Sequence, residues 1–170
     1  CTGAPSRSLI RKDHLVLPNG NHILSYYILE YPDWVNTIAV TSDGQFVFIR
    51  QYRHGLQQTS YELCAGVCEK EDASPLASAQ RELLEETGYG NGSWQEYMQI
   101  SPNPSTHTNI TYCFLATGVE KISEQHLEDT ESLSVHLLTL AEVKELLQKG
   151  EIKQALMAAP LWKYIAEKGL

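Results

Sequence analysis

The chain has 170 residues, 42% of them apolar and 20% charged, enough for one buried core and far from a disordered or collagen-like composition. Its formal net charge of −8 excludes a broad cationic footprint for a nucleic-acid backbone, so an anionic ligand would need locally placed cations or a bound metal. No apolar run approaches the roughly 18–20 residues of a membrane span and no leader pattern stands out, so neither nucleic acid nor membrane is an expected partner.

In chain order, "DHLVLPNGNHILSYYILE" predicts two strands around a Pro18-Asn19-Gly20 turn. "WVNTIAVTSDGQFVFIRQYR" predicts a second hairpin, turning at Ser42-Asp43-Gly44, and "SYELCAG" one short strand. The period then changes. Ser74 can cap a helix, Pro75 suits its first position, Leu76, Ala79 and Leu83 form an apolar stripe, and Gly88 is a natural stop. A helix is expected over about residues 75–87. "WQEYMQIS", "NITYCFLATGV" and "LSVHLLTL" follow as strands, and residues 140–150 as an amphipathic helix. The last segment, "IKQALMAAPLWKYIAEKGL", is a helix that Pro160 should bend or split. The order implies an α+β class in a single domain, residues 1–170, with the strands at about 13–30 as an extension for dimerisation or substrate binding. Cys1, Cys64, Cys68 and Cys113 have neither disulfide-framework nor zinc-finger spacing, so they read as free thiols in a reducing cytoplasm.

The segment "RELLEETGYG" carries the chemistry. On a helix starting near residue 75, Glu82, Glu85 and Glu86 stand at i, i+3 and i+4, on neighbouring positions of one face. Each like-charge pair costs a few tenths of a kcal/mol on an exposed helix. The macrodipole also disfavours anions near the C-terminal end. A hard divalent cation such as Mg²⁺ or Mn²⁺ reverses both penalties, since it takes carboxylate oxygens as ligands. Arg81, four residues before Glu85, can hold that carboxylate in place. On charge pattern alone, a solvated acidic face remains the simpler reading.

The run from Gly66 to Tyr89 resembles the Nudix box, the signature of the Nudix hydrolases. That signature reads glycine, five residues, glutamate, seven residues, then Arg-Glu-aliphatic-any-Glu-Glu-any-Gly-aliphatic. "RELLEETGY" fits the second half, with Tyr89 in the closing aliphatic place. The first half is one residue too long, and the expected glutamate falls on Asp72 or Ala73 depending on the direction of counting. An insertion absorbed within Glu69–Ala73, upstream of the helix, would reconcile the two halves, with Glu71 or Asp72 turned toward the cluster. The resemblance implies a Nudix-type α/β/α sandwich, a mixed sheet flanked by helices. It implies metal ligation by Glu82, Glu85, Glu86 and the backbone carbonyl of Ala65, with Arg81 orienting Glu85.

Further marks resemble the ADP-ribose and ADP-sugar pyrophosphatase subfamily. "QYRHGLQQTSYELCAG" is similar to its Gln-Tyr-Arg…Glu-Leu-Pro-Ala-Gly segment, with Cys64 in place of the proline. By that resemblance Arg53 meets phosphate, Glu62 the nucleoside side, and Pro104 the subfamily's proline after the box. "THTN" (106–109) departs from the glycine- and glutamate-containing loop usual there. Among Tyr26, Tyr27, Tyr31 and Trp34, the last two are the leading partners for the base, with sheet packing as the plainer alternative. The general base would come from "EQHLEDTES", which offers Glu124, Glu128, Asp129 and Glu131, with Glu128 and Glu131 preferred. The implied activity is metal-dependent hydrolysis of a nucleoside diphosphate linked to another moiety, such as ADP-ribose, by a homodimer. The rivals are another nucleotide sugar or dinucleotide as substrate, or a nucleotide-sensing module without catalysis.

Overall fold

The computed structural model describes residues 9–127 and 132–169. Strand β3 (Trp34–Thr41) is buried along nearly its whole length and forms the spine. It runs parallel to β9 (Thr111–Lys121) and antiparallel to β4 (Phe46–Arg53) and β6 (Cys64–Val67). β10 (Leu133–Leu138) borders β4, β5 (Gln58–Glu62) pairs with β4, and β8 (Ser93–Ile100) with β9; the two-residue β7 (Tyr89–Gly90) also borders β9. The sheet is therefore mixed, as its expected class requires.

Alternation along the central strands builds two cores. Ile38, Val40, Phe46 and Phe48 face Val143 and Leu147 of α2 (Leu140–Gln148) and Met157, Leu161 and Ile165 of α3 (Ala155–Glu167). Ala39, Val47 and Ala116 face the other way, onto Leu83 of α1 (Pro75–Thr87), and Val35 and Phe114 meet Ala79 of the same helix. Helices thus cover both faces of the sheet.

α1 has the expected bounds for the expected reasons. Ser74 Oγ accepts from the Ala77 N–H at 3.2 Å, Pro75 opens the helix, and Gly88 closes it at φ 74°, where a Cβ would lie 2.1 Å from the Ser123 carbonyl oxygen. "SYELCAG" differs from expectation: it is two strands, broken at Leu63. β3 and β4 share Cα partners only at Ala39–Val47 and Val40–Phe46, near their turn; further out, β3 pairs with β6 and β4 with β5. The chain must change partners between the arms of this fork. The last helix also differs, since it begins at Ala155 and runs unbroken through Pro160. Proline removes the N–H that would reach the Leu156 carbonyl, and the buried Asn36 Nδ2 donates to that oxygen instead, at 2.8 Å. The N-terminal strands form a separate two-stranded sheet, β1 (Leu9–Val16) and β2 (His22–Glu30), starting four residues earlier than expected.

Candidate active site

The fork between β3 and β4 positions the site. β6 carries Ala65 and Gly66 along α1, and the box carboxylates lie against that backbone. Glu86 is buried, and its Oε2 accepts from the Ala65 N–H at 3.1 Å. Glu82 comes so close to β6 that a Cβ on Gly66 would sit 2.0 Å from its Cδ. Glycine there makes room for a carboxylate, not for a special backbone angle. Glu85 stays 44% exposed at the rim.

Arg81 binds the group together with all five of its N–H donors. Nη1 donates to Glu82 Oε1 and Glu85 Oε2, both at 3.0 Å. Nη2 donates to the Val67 carbonyl and Asp72 Oδ2, and Nε to Asp72 Oδ1 at 3.2 Å. Burial pulls this guanidinium's pKa down, but hydrogen bonding to Asp72, the charge of Glu82 and hydrogen bonding to Glu85 outweigh it, so the net shift is upward. Hydrogen bonding to Arg81 holds the Asp72 carboxyl at about 2, below the ordinary aspartate value. The expectation for the long loop is therefore met in its geometry. The helix starts after residues 69–73, Asp72 turns inward onto Arg81, and Glu71 is exposed.

The donor set is all oxygen, with the Glu82 carboxylate packed on Gly66 and Glu86 on the Ala65 N–H beside it, and carboxylate oxygens are the ligands that Mg²⁺ or Mn²⁺ takes, so the residues fit such a cation. Among the described residues no three acidic, histidine or cysteine side chains are already drawn into a metal cage. Arg81 supplies the counter-charge between Glu82 and Glu85.

The other expected residues fall into two groups. Arg53, ending β4, and Glu62, ending β5, form a forked ion pair with Nε–Oε1 3.0 Å and Nη2–Oε2 2.6 Å; Glu62 is buried, so its carboxylate is committed to Arg53. Both line a cleft of about 180 Å³. Tyr31 and Trp34 pack together with ring centroids 5.6 Å apart, and His107 joins them at 5.2 Å from Tyr31. His107 belongs to the loop that carries Pro104. That loop docks on β2 through Leu29, and Tyr26 donates to the Ser105 carbonyl. Trp34 stands opposite Val67, whose carbonyl accepts a hydrogen bond from Arg81 Nη2, so the aromatic group is joined to the carboxylate helix through one strand pair.

Glu128 and Glu131, with Asp129, lie outside the described residues. The segment leading to them is anchored on α1. The His126 N–H donates to the Glu85 carbonyl at 2.9 Å, and Gln125 Nε2 to the Glu86 carbonyl at 2.6 Å. These bonds satisfy carbonyls that the end of a helix otherwise leaves open. The sequence reading missed Gln125 and the aromatic contacts of His107, and nothing local in either segment signals them.

The NUDIX domain family matches residues 31–159, which include the box helix, the Arg53–Glu62 pair and the Tyr31–Trp34 group. The chain belongs to the NUDIX family. It is 32% identical to an ADP-ribose pyrophosphatase of Bacillus subtilis (strain 168) over 140 residues, 82% of this chain and 75% of that protein. It is 30% identical to a methanol dehydrogenase activator of Bacillus methanolicus, over 84% of this chain and 77% of the other. A solved structure described as an ADP compounds hydrolase superposes with a TM-score of 0.81 over 98% of this chain and 91% of its own, at 22% identity, which establishes the shared fold. This NUDIX chain is a hydrolase of the diphosphate-cleaving type. Among the described residues no helix is long and apolar enough to cross a membrane.

Proposed function

We propose that the chain hydrolyses an ADP-sugar, ADP-ribose foremost, to AMP and a sugar phosphate with Mg²⁺ or Mn²⁺. The observation that carries this reading is the Glu82–Glu85–Glu86 face, organised by Arg81 and seated against β6 at a glycine cradle. The similarity to the Bacillus subtilis ADP-ribose pyrophosphatase supports the substrate class.

Glu82, Glu85, Glu86 and the Ala65 carbonyl would hold the cation, which when bound offsets diphosphate charge and acidifies water. In the reaction, water attacks one phosphorus, the bridging P–O bond breaks, and two phosphate monoesters and a proton leave. Glu128 or Glu131 is the proposed acceptor of the water's proton, from a loop whose first residues are tied to α1. Arg53, held by Glu62, meets a phosphate. Tyr31 and Trp34 offer the flat surface for the base, with the Pro104 loop beside them.

The protein works as a homodimer in a single domain. The separate β1–β2 hairpin exposes Ile10, Leu24 and Tyr27, apolar side chains that a second copy would cover. Cys64, Cys68 and Cys113 are free thiols, which supports a reducing cytoplasm.

The test is a hydrolysis panel of ADP-ribose, GDP-mannose and a dinucleoside polyphosphate, each with Mg²⁺, Mn²⁺ or EDTA. ADP-ribose should give AMP, and EDTA should abolish it. Glu86→Gln should lower kcat by about two orders of magnitude or more with unchanged circular dichroism, because it removes charge at constant shape. Cleavage of GDP-mannose or the dinucleotide alone would replace the substrate. Full activity in Glu86→Gln would move the active site elsewhere.

A further inference from the structure

We propose that Lys153 is a phosphate-binding residue of the substrate site; this rests on the hydrolase reading above and extends it to a residue outside the box. The cleft beside Arg53 is shared between two distant parts of the chain. Arg53, Ser60 and Glu62 come from the β4–β5 arm of the fork, and Lys153 and Gln154 from the residues just ahead of α3. Ile152 and Met157, on either side, are buried in the main core, so the exposed Lys153 borders the cleft from a fixed backbone.

Charge gives the cleft its purpose. The forked bond to Glu62 already compensates Arg53. Lys153, like Arg50, Lys70 and Lys144, forms no ion pair among the described residues, and of the two cations lining this cleft only Arg53 has a carboxylate partner there. The lining charges sum to one positive charge, supplied by Lys153, in a chain of net charge −8. An ammonium on a flexible stem suits a phosphate as a point charge. The placement is also right. Glu62 and Ala65, whose N–H holds Glu86, are three residues apart, about 10 Å of extended chain. A diphosphate lying between the cleft and the carboxylate face would bring one phosphate within reach of Lys153.

Calorimetric titration with ADP in EDTA, where no turnover occurs, tests the assignment on the wild type, Lys153→Gln and Lys153→Arg. The Gln variant should bind ADP about tenfold more weakly, the loss of one charge-assisted hydrogen bond, and the Arg variant should recover most of that affinity. Adenosine, which has no phosphate, should bind wild type and Gln variant alike. Equal ADP affinity in wild type and Gln variant, no ADP binding by the wild type, or an equal loss for adenosine would overturn the proposal. With ADP-ribose as substrate, the loss in kcat/KM should fall on KM. Failure of the wild type to cleave ADP-ribose would count against the hydrolytic reading, while the ADP titration would still decide the role of Lys153.

Discussion

At the residue scale, the carboxylate face is held by one guanidinium and one absent methyl group. Three acids on one helical face repel, and Arg81 relieves this by spending a donor each on Glu82 and Glu85 and three on Asp72 and Val67. Gly66→Ala would place a carbon 2.0 Å from Glu82 Cδ and push that carboxylate out of the cradle. The displaced atoms end a flexible side chain, so melting should change little. Activity and the melting shift produced by millimolar Mg²⁺ or Mn²⁺ should both be lost, and parallel melts with and without metal read this out. Asp72 carries a pH dependence. Its folded pKa of about 2 lies below the unfolded value, so the Asp72–Arg81 contact stabilises the fold above the unfolded value and loses that effect as pH falls from about 4 to about 2. Relative to Asp72→Asn, the wild type should be more stable at pH 7 by on the order of 1 kcal/mol after allowance for solvent screening. Urea unfolding at pH 7 and pH 2 should show that difference present and then mostly lost.

At the element scale, α1 tolerates no change of phase, whereas the loop before it does. The box is one residue long, and residues 69–73 take up the extra length while the helix keeps its cap and its stop. Closure entropy rises slowly with loop length, so this costs little. Inserting one alanine between Leu83 and Leu84 would rotate Glu85 and Glu86 by about 100° away from Arg81 and Glu82. It would also carry the second half of the apolar stripe off the sheet. Inserting one glycine between Lys70 and Glu71 would only lengthen an exposed turn. The first insertion should abolish hydrolysis and lower the melting temperature sharply; the second should retain most of both. Equal tolerance of the two insertions, measured by activity and melting, would contradict the phase argument. The fork between β3 and β4 matters at this scale too, because one arm pairs β4 with the strand that carries Glu62 and the other pairs β3 with the strand that carries Ala65 and Gly66.

At the scale of the whole molecule, one sheet between α1 and the α2–α3 pair leaves the β1–β2 hairpin outside the main core. An isolated hairpin is marginal in water, and Ile10 and Leu24 are 72% and 71% exposed on it. If a second copy covers that surface, Ile10→Ser with Leu24→Ser should convert the dimer to a monomer while the main domain melts nearly unchanged. Light scattering coupled to size exclusion measures the mass; an unaltered dimer would place the interface elsewhere, and a monomeric wild type would remove the dimer.

The sequence by itself determined what short-range geometry controls. The bounds of α1 follow from Ser74, Pro75 and Gly88, the hairpins from Pro18-Asn19-Gly20 and Ser42-Asp43-Gly44, and the common face of Glu82, Glu85 and Glu86 from the 3.6-residue turn. Each involves groups within a few residues, so sterics and local hydrogen bonds suffice. Only the tertiary structure decided between Glu71 and Asp72, because the choice depends on where Arg81 arrives from nine residues away. It alone broke "SYELCAG" at Leu63, where the chain leaves one partner strand for another. It alone kept the last helix whole, since the hydrogen bond lost at Pro160 is replaced by Asn36 from more than a hundred residues earlier. Lys153 lines the same cleft as Arg53 across a similar separation. Such contacts are set by which surfaces the packed sheet and helices bring together, and no local pattern in the chain encodes them.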